Sequence, residues 1–356
     1  FSGESPMLAC NLLAMISTVL TAAALGGGEM ANREVAGKVA AAEEVREVIF
    51  ASQFGLTYLP FMVMNERDTV EKNSKAAGLA EVKAEYKTLS GPAPINDALL
   101  SASAQFGAVG VPSLVQLWDR TKGDRAVKTI GAMTSAPMFL NTTRPEIKSV
   151  LDFTEKDRIA LPSIRVSVQA VTLQMAVAKA FGNGKFNQLD KLTVAMSHPD
   201  GTQALLGGSG GITAHFTAPP FQYQQLKSDR AKVSRVLSSY DVLGGKSTFV
   251  VAISTERFAK ASPKVFKVVC DSLAETQEWI NANKKEAAEI YLKATKSKET
   301  VEEILAQMND PDIEYTVVPM NIQKYADFML QTGAIKTKAA SWKDLCFPHL
   351  HDKPGS

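Results

Sequence analysis

From residue 45 onward, short runs rich in β-branched and aromatic residues alternate with amphipathic stretches of helical period, the rhythm of an α/β fold. Residues 48–50, 82–89 and 106–109 read as strands. Between them a helix opens near Pro60, where a missing N–H costs nothing, and stops at Gly78. A shorter helix at 96–104 follows the turn Gly91-Pro92-Ala93-Pro94, and another runs through Leu114, Leu117 and Trp118. A strand at 127–133 closes this βαβαβα unit, and the pattern then restarts. Strands are expected at 158–161, 193–196 and 212–216. A helix at 167–181 has Val168, Val171, Met175 and Ala178 on one face and Gly182 at its end, and a further helix passes through Leu205-Leu206. After a strand at 248–254 the chain is almost wholly helical. Val265, Val269, Ser272, Thr276 and Ile280 share one face, Thr300 and Glu303 fit a capping box, and Gly333 ends a helix through Tyr325, Phe328 and Met329. So helical a tail needs a sheet to cover, and the first unit has few helices for its strands. The tail is therefore expected to return to it, with chain crossings near 132–135 and 244–248.

One stretch breaks the alternation. Residues 8–25 carry no charge and are followed by Gly26-Gly27-Gly28, which resembles the apolar region and cleavage site of a secretory signal. A membrane-spanning anchor is the weaker reading, because Asn11, Ser17, Thr18 and Thr21 interrupt the apolar run. Met7-Leu8-Ala9-Cys10 loosely matches a lipoprotein box but has no apolar region before it. The expected organisation is a leader at 1–30, a first lobe at 45–132 completed by 248–348, a second lobe at 133–247, and a tail at 349–356.

The 356 residues are 45% hydrophobic and 21% charged, and 39 Lys+Arg against 37 Asp+Glu leave a net charge of +2. Without a run of one sign there is no electrostatic footprint for nucleic acid, which is not expected as a partner. Cys10, Cys270 and Cys346 form no CxxC pair, so neither a zinc site nor a disulfide framework is expected.

The chemistry-bearing motifs are mostly negative. Gly207-Gly208-Ser209-Gly210-Gly211 follows a helix and leads into a strand, the wrong direction for a phosphate-binding loop, and it lacks the strand-to-helix setting that a GxSxG nucleophile elbow needs. His349 and His351 sit in a polar tail able to chelate adventitious metal. His198 and His215 lie at strand ends, either as hydrogen-bonded structural residues or as ligand contacts. What remains is a set of strand-to-helix turns rich in hydroxyls, amides and backbone N–H groups: 52–58, Ser90-Gly91 with Asn96, 133–135, and Ser163 with Ser167-Val168-Gln169. The positive end of a helix opening at Ser167 favours a small anion, although each hydroxyl also reads as an N-cap. Such a site binds rather than reacts.

The strings SQFGLTYLPFMVM (52–64), LPSIRVSVQAVTLQMAVAKAFG (161–182), SHPDGTQALLGGSGGITAHFTAPPF (197–221) and SWKDLCFP (341–348) resemble substrate-binding proteins of nitrate/sulfonate/taurine-type ABC transporters. The resemblance implies a two-lobed type II periplasmic binding fold, each lobe a mixed sheet flanked by helices, joined by a two-strand hinge and closing on ligand. It further implies an extracytoplasmic protein that delivers a small organic anion to a membrane permease. A monomer without cofactor, metal or catalytic residues is expected. Carried onto this chain, ligand contacts would fall on Gln53, Phe54, Gly55, Tyr58, Ser90 and Asn96 in the first lobe, and on Ser135, Ser163, Ser167, Gln169, His215 and Thr217 in the second. Arg165 is the only basic residue in these turns, while Phe54, Tyr58, Met133, Met138 and Phe216 would make the pocket partly apolar, favouring an organic anion over nitrate. The same fold includes thiamine-pyrimidine synthases, which consume pyridoxal phosphate and carry a cysteine-rich motif. The lack of a cysteine cluster and the apparent leader count against that enzyme. A binding protein that senses without transporting is a third reading.

Overall fold

The computed structural model describes residues 44–79 and 81–356, so the stretch expected to be a leader lies outside the described residues. The strands are β1 (Glu47–Ser52), β2 (Lys83–Thr88), β3 (Phe106–Gly110), β4 (Val127–Ser135), β5 (Phe139–Thr142), β6 (Ile159–Leu161), β7 (Thr193–Ala195), β8 (Ala214–Thr217), β9 (Ser234–Ser238) and β10 (Thr248–Thr255). They form two five-stranded sheets, ordered β2-β1-β3-β10-β4 and β7-β6-β8-β5-β9. Both sheets share one plan. Three parallel strands (β2, β1, β3 and β7, β6, β8) are followed by a strand running against them (β10 or β5) and an edge strand antiparallel to that. The parallel strands are joined through helices, as parallel pairing requires.

The inner strands of the first sheet are buried on both faces, which is why Phe106–Gly110 and Thr248–Thr255 read as nearly continuous apolar runs. Phe50 stacks on Tyr86 (centroids 4.6 Å apart) and on Phe106 (5.1 Å), and takes the edge of Phe61 at 5.1 Å. Offset and edge contacts of this kind add to simple area burial. On β4 the helix Pro263–Ala282 lays down its Val265, Val269, Ser272, Thr276 and Ile280 stripe, all buried. Gln277 Nε2 donates to Ala132 O at 2.7 Å. The chain leaves the first sheet after Ser135 and re-enters it at Thr248. The segment around Cys346 then runs beside β4, where Phe347 N donates to Thr129 O.

Several elements depart from the expected boundaries. The helix expected from Pro60 to Gly78 is two, Leu59–Glu66 and Thr69–Ala76, separated by Asp68 at φ 48°. Aspartate is one of the few non-glycine residues to visit that left-handed region readily. The helix expected at 96–104 is Pro92–Leu100, because both prolines fit its first turn, where no N–H is needed. β5 and β9 were not foreseen. The capping box is present, with Thr300 Oγ1 accepting from Glu303 N and Glu303 Oε2 from Thr300 N. His349 and His351 have their Nε2 atoms on backbone carbonyls, Ile130 O at 2.9 Å and Lys343 O at 3.0 Å. Among the described residues no helix is long and apolar enough to cross a membrane, and no His/Cys/Asp/Glu cluster could hold a metal.

Candidate functional site

Where the two sheets face each other, loops from both sides touch. Leu56 N donates to Pro219 O at 3.0 Å. Gly55, at φ 124°, holds a conformation that a side chain would strain. A methyl group placed on Gly91 would stand 2.6 Å from Pro162 O, and one on Gly110 only 1.9 Å from a Val168 methyl. These glycines allow backbone from one sheet's loops to seat against the other's.

Between the loops lies a cavity of about 10 Å³, room for roughly one water molecule. Four helices begin at its wall. Pro92 opens Pro92–Leu100, Gly110 caps Val111–Arg120, Ser167 caps Val168–Phe181, and His198 opens His198–Gly207. Gln53, Tyr58 and Gln169 complete its polar lining, and no Asp, Glu, Lys or Arg takes part. Helix N-termini carry partial positive charge and unpaired N–H groups, so this convergence attracts an anion without a salt bridge.

Behind the cavity wall a buried polar network runs through the second sheet. His198 Nδ1 lies 2.9 Å from Thr217 Oγ1 and 3.5 Å from His215 Nε2. Gln225 Nε2 lies 2.7 Å from His215 Nδ1 and donates to Thr202 Oγ1, while Asn141 Nδ2 donates to Gln225 Oε1 and to Gln222 O. Burial holds the His198 pKa down at about 4, and His215 is also lowered, by burial first and then by its neighbour His198. Both rings are neutral at pH 7. At the far end Gln222 Oε1 accepts from Phe139 N and its Nε2 donates to Pro137 O, clamping the strand that crosses from the first sheet to the second. Gln222→Leu should therefore cost about 2–4 kcal/mol by stranding a buried N–H and a buried carbonyl. Urea denaturation checks this; a loss below about 0.5 kcal/mol would show that the clamp is dispensable.

No family model matches the chain, and no curated protein matches it in sequence. Solved structures do match. The periplasmic nitrate-binding protein NrtA from Synechocystis PCC 6803 superposes with a TM-score of 0.65 at 14% identity, over 85% of this chain and 85% of that one. The alkanesulfonate-binding protein SsuA from Xanthomonas axonopodis pv. citri, bound to MOPS, gives 0.64 at 16% identity, over 83% and 96%. A Candida albicans protein described as having the generic periplasmic binding protein structural fold gives 0.62 at 13% identity, over 83% and 92%.

The fold is that of the periplasmic binding proteins.

Within this binding-protein fold the residues singled out from the sequence take different places. Gln53, Tyr58, Ser167 and Gln169 line the small cavity together. Gln53 donates to Tyr58 Oη at 2.7 Å, and Ser167 Oγ donates to Ser163 O at 2.6 Å while accepting from Ala170 N as the helix cap. Ser163 and Gly55 stand at the contact between the two sets of loops. Phe54 is exposed, and with Gln53 it lines a separate pocket of about 330 Å³ over the ends of β1 and β2, together with Phe61, Met62 and Tyr86. His215 and Thr217 are buried behind His198 and do not line the cavity. Ser90 is exposed and off the cavity; Asn96 is paired reciprocally with Ser113, and Ser135 is buried at the crossing, bridged through its backbone to Glu314. Gly110, Pro162 and Phe249 line the cavity without having been singled out. They offer no polar side chain to notice, since what they contribute is close approach and surface. Cys270 and Cys346 have thiols pushed up to about 12 by burial, so neither supplies a thiolate at neutral pH.

Proposed function

We propose that this chain is an extracytoplasmic solute-binding protein that captures a small organic anion between two lobes and delivers it to the membrane permease of an ABC importer. The observation that carries the reading is the convergence of four helix N-termini on one cavity whose lining has no ionised side chain. An environment of helix dipoles and hydrogen-bond donors stabilises an anion without an ionised side chain, which is what a site that binds requires. In this reading the lobes are residues 45–132 with 248–348, and 133–247. The hinge is the pair of connections between β4 and β5 and between the helix Ser239–Leu243 and β10. The cavity is smaller than any organic anion, so ligand enters with the loops apart and they close around it. Gln53 lines both the cavity and the 330 Å³ pocket, and the pocket's lack of a charged lining residue suits it to the ligand's organic portion.

The test is a thermal-shift screen of sulfonates, aliphatic and aromatic carboxylates, nitrate and thiamine precursors. A ligand at 100 times its dissociation constant adds ~2.7 kcal/mol of stability, enough to raise the melting temperature by several degrees. One class of organic anion is expected to stand out. No shift with any small anion would sink the proposal.

A further inference from the structure

We propose that Asn141 and Gln225 are positioning residues which lock His198 in the tautomer carrying its proton on Nε2, so that His198 and Gln169 present N–H donors, and no imidazole lone pair, on the second-sheet wall of the cavity. The inference rests on the reading of that cavity as the ligand site. Its steps follow from which groups can donate and which can only accept.

The chain of constraint starts at a backbone carbonyl. Gln222 O can only accept, so the group 3.0 Å from it on Asn141 is the amide NH2. That NH2 also meets Gln225 at 3.0 Å, which must then present its Oε1, leaving Gln225 Nε2 toward Thr202 Oγ1 and His215 Nδ1. An amide NH2 2.7 Å from Nδ1 requires a bare nitrogen there, so the neutral His215 ring is protonated on Nε2. His215 Nε2–H points at His198 Nδ1, 3.5 Å away, and the Thr217 hydroxyl lies 2.9 Å from the same atom. With Nδ1 accepting from both, the remaining proton of His198 sits on Nε2, at the cavity. The opposite tautomer would set His198 Nδ1–H against His215 Nε2–H and leave a fully buried donor unpaired, an expensive arrangement.

The consequence reaches Gln169. Gln169 Nε2 stands 3.4 Å from His198 Nε2, and an Nε2–H there requires the Gln169 amide to turn over, bringing its oxygen to the ring and its NH2 into the cavity. A lone pair on His198 Nε2 would have done the reverse, placing an acceptor where a ligand's O–H or N–H could dock. Residues that never touch the cavity thereby decide its donor and acceptor character.

A long-range 1H–15N spectrum of the 15N-labelled full chain at pH 7.5 reads the tautomer of each ring directly, with the four histidines assigned by single replacements. Both His198 and His215 are expected as Nε2–H tautomers with bare Nδ1. An Nδ1–H signal on either ring of the native protein would overturn the proposal, whatever any variant does. Gln225→Glu presents only acceptors, so it should place a proton on His215 Nδ1; Gln225→Met, lacking any donor, should abolish the single-tautomer signature. His215 resonances unchanged in a folded variant would equally defeat the lock. Methanesulfonate added to the native protein separates the two ideas: native tautomers as assigned with no response of His198 Nε2 uphold the lock and count against the anion-site reading.

Discussion

Gly91→Ala is expected to lower the affinity for whichever organic anion the screen identifies by roughly 100-fold, equivalent to ~2.7 kcal/mol, while the ligand-free protein stays folded. The backbone at Gly91 is fully extended (φ −176°, ψ 180°), a conformation any residue adopts, so no strain arises within its own loop. The conflict comes from across the cleft. The new methyl carbon would sit 2.6 Å from Pro162 O and 2.9 Å from Ser163 Oγ, well inside van der Waals contact. The first obstacle is backbone and cannot rotate away, so the two sets of loops must stay apart by an ångström or more. Binding then loses the enclosure that brings the second pair of helix N-termini onto the anion. Gly110→Ala should act in the same direction, through its 1.9 Å approach to Val168. Small-angle scattering should show both variants more extended than the native protein under saturating ligand. Native-like affinity together with native-like dimensions would mean that these contacts do not define the closed form.

The second large effect is with acid. His198 is held neutral by burial, with a pKa of about 4, and it opens a helix whose positive end further disfavours the imidazolium. The unfolded chain, with an ordinary histidine pKa near 6.5, binds more protons than the folded one between those values. Stability therefore rises with pH. The contribution is fully present above about pH 6.5 and is lost progressively as pH falls toward about 4. For His198 alone the loss amounts to about 3 kcal/mol, and His215, lowered for the same reason, adds in the same direction. Denaturant titrations at intervals from pH 7.5 to 4.5 should show the midpoint falling, and His198→Asn should flatten the slope. Carboxylates with lowered pKa values such as Asp119 and Asp152 give up their own stabilisation only at still lower pH. A stability flat between pH 7 and 4.5 would contradict the neutral buried pair.

How much could be read from the sequence varies by element. The stripe on Pro263–Ala282 was legible because one face is buried over several turns, which imposes a period that survives in the letters, whereas Val168–Phe181, buried all round at its start, was legible from its cap Ser167 and its terminal Gly182. β5 was not. It is wholly buried yet contains Asn141 and Thr142, which break the apolar pattern, and only the network through Gln222 and Gln225 shows how a buried asparagine is tolerated. The edge strand β9 alternates weakly and carries Arg235, whose guanidinium lies over the Phe139 ring. In the candidate site, hydroxyls and amides at helix starts were visible, as Gln53, Tyr58, Ser167 and Gln169 attest. Pro162, Gly110 and Phe249 were not, because a residue that contributes only its proximity leaves no chemical mark on the sequence.

By itself the sequence determined the α/β rhythm, a near-balanced charge without a run of one sign, and strand-to-helix turns rich in hydroxyls and amides. Those properties are local: periodicity records which face of each element avoids water, and composition records what the turns can donate or accept. Only the tertiary structure decided that turns at 53, 92, 110, 167 and 198 close around one cavity. It also decided that Thr248–Thr255 is inserted between β3 and β4, and that a carbonyl on Gln222 governs a proton on His198. Strand order and the packing of distant side chains settle such matters, and neither is written in the spacing of neighbouring residues.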